Sequence, residues 1–176
     1  FLSRVDTAVD ARLDELAPRE KRATVLRGRA ALALARLAYE RFRRLNDDPR
    51  WAPLRHAGAS VQRLLWASTG TKDPTLPDTH YVDSLALPGT VNTLPAETLA
   101  AVMDHGLARG DDLVPLDVAR GELDELASLG VDVGALAAPL QQQGLRKFAD
   151  SYDEAIRSVT QAPAPAGRPT PEARTH

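Results

Sequence analysis

The sequence predicts an α/β fold with parallel strands, and three observations carry that reading. Residues 1–5, 61–66 and 90–94 form short apolar or β-branched runs bounded by turn residues. The stretches between them carry helical spacing of apolar positions. Those stretches are also too long for hairpin turns, so the strands connect by helical crossovers and run parallel.

The elements follow in order. Phe1-Leu2-Ser3-Arg4-Val5-Asp6 reads as a buried strand that runs into a helix through Val9, Leu13 and Leu16, stopped at Pro18. A second helix spans about 27–45, and its Ala30, Ala31 and Ala38 imply close packing. Arg41, Arg43 and Arg44 suit its negative pole. Asn46-Asp47-Asp48-Pro49 is a turn, 51–56 a short helix closed by Gly58, and 61–66 the second strand. Pro74, Pro77 and Asp78 punctuate a loop before a short helix through Tyr81, Val82 and Leu85. The third strand, 90–94, precedes a helix opened by Pro95 and Glu97 and ending near Gly106. Helices at 116–129, 133–140 and 145–159 follow, with Gly130 and Gly144 as stops. The Pro/Ala-rich tail at 162–176 is expected to be disordered. No internal repeat is visible.

A parallel sheet of three strands leaves both edges unpaired and covers its faces poorly. There is too much helix for so little sheet. Together with the absence of an opening methionine, this leads us to expect the later part of a longer polypeptide.

Composition removes several classes of function. The 22 Lys+Arg nearly balance 24 Asp+Glu, for a net charge of −2, so nothing favours a generic nucleic-acid partner. Without cysteine there is no disulfide, zinc knuckle or thiol nucleophile. No apolar run approaches the roughly 20 residues of a membrane helix, and no charged-then-apolar leader opens the chain. A cytoplasmic protein without a membrane partner is the expectation.

In parallel α/β architecture, ligands meet the carboxyl ends of strands and the loops beyond them. Ser3-Arg4, Ser68-Thr69-Gly70-Thr71-Lys72 and Asn92-Thr93 fall there. Two cations, several hydroxyls and one close-approach glycine suit a phosphate ester on a polyhydroxylated substrate, a guanidinium gripping two of its oxygens. Two plainer readings stay open: Arg4 pairs with Asp6 or Asp10, and the Ser-Thr-Gly-Thr-Lys run is a solvated turn. No GxxxxGK[ST] pattern is present, so a nucleotide P-loop is not supported.

Several blocks, in order, resemble the later part of bacterial transaldolase. They are Phe1-Leu2-Ser3-Arg4-Val5-Asp6, Leu26-Arg27-Gly28-Arg29-Ala30-Ala31 and the long run Gln62-Arg63-Leu64-Leu65-Trp66-Ala67-Ser68-Thr69-Gly70-Thr71-Lys72. Asp78-Thr79-His80-Tyr81-Val82, Thr90-Val91-Asn92-Thr93-Leu94-Pro95 and Asp104-His105-Gly106 follow. Lys147-Phe148-Ala149-Asp150-Ser151-Tyr152 is similar to that family's carboxyl terminus.

The resemblance implies the C-terminal portion of a (β/α)8 TIM barrel: strands six to eight within 1–106, then a helical segment at 107–161 packing on the barrel. It implies transfer of a dihydroxyacetone unit through a lysine Schiff base, with no metal or organic cofactor. The implied substrates are sedoheptulose 7-phosphate, fructose 6-phosphate, glyceraldehyde 3-phosphate and erythrose 4-phosphate. The family's Schiff-base lysine and its acid/base partners lie on earlier strands, so the implied partner is the missing N-terminal half of the barrel. No catalytic residue is expected here, and the chain alone should be inactive. Arg4, Ser68 and Lys72 look like the phosphate grip, and Phe1 like the aromatic lining near the reacting carbons. Leu64 stands where proline is usual and Arg29 where lysine is usual.

The chain's lysines are Lys21, Lys72 and Lys147, and only Lys72 is placed at the strand ends. A Schiff-base lysine needs desolvation or a neighbouring cation, which a polar loop after Gly70 does not promise. His56, His80 and His105 lack ligand spacing, so no metal site is expected. His105 is read as serving its helix end, and Trp51 and Trp66 as packing residues. Asn92 and Thr93 are read as closing the barrel, with contact to substrate hydroxyls as the alternative, and the acidic stretch 6–15 as a solvated helix face. The alternative function is a non-catalytic phosphosugar-binding or helical interaction module.

Overall fold

Leu2, Asp6, Val9, Asp10 and Leu13 recur at helical spacing, and all five are buried along one stripe of α1 (Leu2–Leu16). The computed structural model describes residues 1–108, 110 and 113–161. The expected strand at 1–5 is therefore corrected to the first turn of a helix. Phe1, Leu2 and Val5 make too short an apolar run to fix a period, and here the 3.6-residue stripe continuing to Leu13 prevails. A trace of sheet pairing survives: the Leu2 and Ser3 N–H groups donate to the Ala67 and Ser68 carbonyls, at 2.8 and 3.0 Å.

After α2 (Lys21–Val25), α3 (Ala30–Asp47) buries Ala30, Ala31, Ala33 and Ala35. These small side chains let α1 and α7 (Leu116–Ser128) approach its opening turns, where Ala30 shares a core with Val9, Leu13, Leu26 and Leu126. A second core joins Leu2, Ala31 and Ala35 to Trp66, Tyr81, Leu85 and Leu87. Val5 packs against both. The expected short helices at 51–56 and around Tyr81 form as α4 (Trp51–His56) and α5 (His80–Leu85).

Among the described residues the sheet has two strands rather than three. β1 (Leu64–Trp66) and β2 (Thr90–Asn92) run parallel, with Leu65 opposite Val91. The crossover between them carries α5, as expected for a parallel connection. Both strands are shorter than the sequence pattern, because a ladder extends only as far as its neighbour does. Trp66 faces α3 and α5 in the core, whereas Leu65 is exposed.

After β2 come α6 (Ala96–His105), α7 and α8 (Val133–Gln161). The helices expected at 133–140 and 145–159 are one continuous α8, with Pro139 and Gly144 inside it. A single helical glycine costs only about 1 kcal/mol, which the good helix formers on both sides absorb. By its contacts the chain divides after Leu140. The first unit contains both cores. In the second, α8 continues to Gln161 with Leu145, Phe148, Tyr152, Ile156 and Val159 exposed. The tail at 162–176, expected to be disordered, lies outside the described residues.

Candidate functional site

The carboxyl end of β1 meets the amino end of α1. Because Leu2 and Ser3 donate to Ala67 and Ser68, the segment carrying Phe1, Ser3 and Arg4 lies against the segment carrying Ser68. Ser68 holds a left-handed conformation, φ 58°, that only glycine adopts without cost. Its carbonyl is held there by the Ser3 N–H. Strain of this kind, about 1–3 kcal/mol, persists where surrounding contacts fix a backbone for use. Two residues on, a Cβ on Gly70 would lie 3.1 Å from Thr98 Oγ1 and 3.3 Å from Pro95, so the loop passes close to the start of α6.

Arg4 does not form the ion pair with Asp6 or Asp10 that its sequence neighbours allowed. Its guanidinium lies over the Phe1 ring, 5.0 Å from the centroid, while Phe1 remains 47% exposed. Arg4 Nη1 is shielded from solvent and donates to nothing among the described residues. A cationic N–H in that condition is costly unless an anion meets it.

Lys72 lines a cleft of about 340 Å³ together with Ser3, Asp6, Asp10, Asp73 and Tyr81. Arg4, Ser68 and Phe1 do not line this cleft; Ser3 links it to them. Lys72 therefore stands across the cleft from α1, one residue from Asp73, whose carboxylate takes a hydrogen bond from Arg27 at 3.3 Å. Arg27 also pairs with Asp14 on α1.

The acidic stretch 6–15 is only partly the solvated face expected. Asp14 and Glu15 are exposed, but Asp6 is 3% and Asp10 7% exposed. Their burial is met by donors from distant segments. Asp6 accepts the Ala31 N–H at 2.8 Å and the Tyr81 hydroxyl at 2.6 Å; Asp10 accepts the Gly28 N–H at 3.0 Å. Desolvation still pushes both carboxyls above the ordinary range. Burial, then the neighbouring Asp6, pushes the Tyr81 phenol up. These residues were missed as site-builders because their spacing marks only a helix face. The available signal was that Asp6 and Asp10 share the stripe of Leu2, Val9 and Leu13.

The other candidates have structural duties. Asn92 Nδ2 donates to the Leu85 carbonyl, Thr93 Oγ1 to the Trp66 carbonyl and Thr69 Oγ1 to the Thr93 carbonyl. Together they lock the ends of the two strands. Trp66 is a core residue. His80 Nε2 is buried without a partner among the described residues, and desolvation lowers its pKa. Asp83 accepts N–H bonds from Leu107 and Ala108, fastening the segment after α6 to α5.

His105, at the end of α6, bridges to Asp78 at 2.9 Å and Asp104 at 3.1 Å, with Asp78 the stronger cause of its raised pKa. A folded-state pKa above the unfolded value means the stabilisation is complete below about pH 6.5 and is lost as pH rises through the folded value. Proton NMR of the His105 ring should show a midpoint above the ordinary histidine range, and Asp78→Asn should lower it. An unchanged midpoint in Asp78→Asn would show that the bridge does not hold the proton.

A family profile described as Transaldolase/Fructose-6-phosphate aldolase matches residues 1–159. The chain belongs to this family. It is 48% identical over 162 residues to a transaldolase of Frankia alni, covering 92% of this chain and 43% of that protein. A transaldolase of Thermobifida fusca is 49% identical over 162 residues, covering 92% of this chain and 44% of that one. Transaldolase 2 of Streptomyces coelicolor is 44% identical over 160 residues, with 90% and 42% covered. The chain thus spans less than half the length of these curated relatives.

Both departures from the transaldolase pattern are accommodated. Leu64 is a paired strand residue opposite Thr90, and Arg29 reaches Glu122 on α7 at 2.9 Å. Among the described residues no helix is long and apolar enough to cross a membrane.

Proposed function

We propose that these residues supply the phosphate grip of a transaldolase, which transfers a dihydroxyacetone unit between sugar phosphates through a lysine Schiff base. The observation that carries this reading is the solvent-shielded, unpartnered Nη1 of Arg4, beside the strained Ser68. A guanidinium offers two parallel donors to a phosphate, Ser68 a hydroxyl, and Lys72 a point charge reaching in from the following loop. Phe1, stacked under Arg4, would line the space toward the reacting carbons. The substrates on this reading are sedoheptulose 7-phosphate with glyceraldehyde 3-phosphate, and fructose 6-phosphate with erythrose 4-phosphate.

The reactive amine lies elsewhere on this reading. Lys72 lines an open cleft beside Asp73, without the apolar, desolvating surroundings that a Schiff-base lysine needs. The relatives are more than twice the length matched here, which supports an N-terminal barrel half carrying the Schiff-base lysine and acid/base residues. A cytoplasmic setting follows from the same reading.

The test is direct. The 176-residue chain alone should give no aldol transfer from fructose 6-phosphate to erythrose 4-phosphate, and borohydride should trap no sugar on it. Mixing it with the N-terminal portion of the Thermobifida fusca relative should restore transfer. Turnover by the chain alone, or a reduced adduct on Lys72, would overturn the proposal.

A further inference from the structure

We propose that Tyr81, acting through Asp6, is a positioning residue that sets the separation between the two cationic arms of the phosphate grip. This rests on the reading of Arg4 and Lys72 as that grip. The two arms come from different parts of the fold. Arg4 stands in the first turn of α1, and Lys72 in the loop that leads from β1 to α5. Arg4 does not line the cleft, but Ser3 beside it on α1 does, and Lys72 lines it from the loop, so the cleft separates the two segments that carry the cations.

Two links cross it. Tyr81, on α5, donates its hydroxyl to Asp6 Oδ2 at 2.6 Å, half a turn beyond Arg4 on α1. Asp6 Oδ1 is at the same time fixed by the Ala31 N–H at the start of α3. Tyr81 is 1% and Asp6 3% exposed, so this bond is largely shielded from water. The second link is Arg27, which pairs with Asp14 on α1 and with Asp73 beside Lys72. The first link is buried, whereas the second is made of ion pairs that are partly exposed and so partly screened. Tyr81 is thus the stiffer strut.

Without its hydroxyl, α5 and the Lys72 loop stay attached through the apolar packing of the Tyr81 ring with Leu2, Ala31 and Leu85. The separation of the cations is then no longer fixed. A rigid dianion that needs both at once binds less well, because part of its binding free energy goes into ordering the loop.

The experiment titrates inorganic phosphate, then fructose 6-phosphate, into the 176-residue chain, following the Arg4 Nε–H resonance of the folded state. Tyr81→Phe should weaken both affinities by about fivefold to tenfold, the size of one lost positioning bond. Because the signal comes from folded molecules only, a merely structural role would lower the melting temperature and leave these affinities unchanged. Arg27→Met, which cuts the outer link, should weaken binding in the same direction and serves if Tyr81→Phe does not fold. Wild-type affinity in folded Tyr81→Phe, or in Arg27→Met where Tyr81→Phe does not fold, would overturn the positioning role and leave the grip standing. A wild-type chain with no saturable response at Arg4 would overturn the grip, and the positioning role with it.

Discussion

Arg4→Met should reduce affinity for fructose 6-phosphate by about 10-fold to 150-fold, the equivalent of one charge-assisted, two-pronged hydrogen bond at about 1.5–3 kcal/mol. The same substitution should leave the stability of the unliganded chain equal or slightly higher. Arg4 Nη1 is buried without a partner among the described residues, so removing it relieves a cost instead of breaking a hydrogen bond. Methionine keeps most of the aliphatic volume and a contact to the Phe1 ring. Calorimetric phosphate titration with urea unfolding on the same samples separates the two effects. Loss of stability without loss of affinity would mean that Arg4 is structural, and the phosphate reading would fail. The opposed signs are the useful part, since few residues weaken binding while relieving the fold.

The positions of the strand ends were legible because the pattern around them is local. Pro95 and Glu97 open α6, Gly130 closes α7, and the run through Trp66 leads into the Ser-Thr-Gly-Thr-Lys loop. That was enough to place Ser68 and Lys72 beyond one strand. The start of the chain was read with the wrong period, because Phe1, Leu2 and Val5 fit a strand as well as a helix until Val9 and Leu13 are counted with them. Gly144 was overweighted as a stop, since one glycine costs a helix less than its neighbours supply.

The buried acids were hidden for a different reason. A carboxylate on an apolar stripe looks misplaced until its donors are known, and those donors are remote. Ala31 lies 25 residues from Asp6, Tyr81 lies 75 from it, and Gly28 lies 18 from Asp10. No spacing rule within α1 reports them. Arg4 shows the converse: two acids stand near it in sequence, yet both are committed to other donors, and its Nη1 is left without a partner among the described residues.

Asp6 carries the largest expected effect on stability. Asp6→Ala strands the Ala31 N–H and the Tyr81 hydroxyl in the core and should cost about 2–4 kcal/mol at neutral pH, read by urea unfolding. Asp6→Asn should cost much less, because its carbonyl oxygen still accepts from Ala31 while its amide donates to the Tyr81 oxygen. The pH dependence distinguishes the two carboxyl states. Burial raises the folded-state pKa of Asp6 above the unfolded 3.8, so the folded protein binds the proton more tightly. The stability tied to that proton is complete below about pH 3.8 and is lost as pH rises through the folded value. Asn has no such proton, so Asp6→Asn should gain on the wild type as pH rises through that window and hold its gain above it. Taking the difference between the two proteins cancels the opposite slopes of acids such as the half-buried Asp73, whose pKa is lowered. A difference that stays flat with pH would place the Asp6 proton outside the folding equilibrium. The Tyr81–Asp6 bond would then join two groups whose charge state folding does not change.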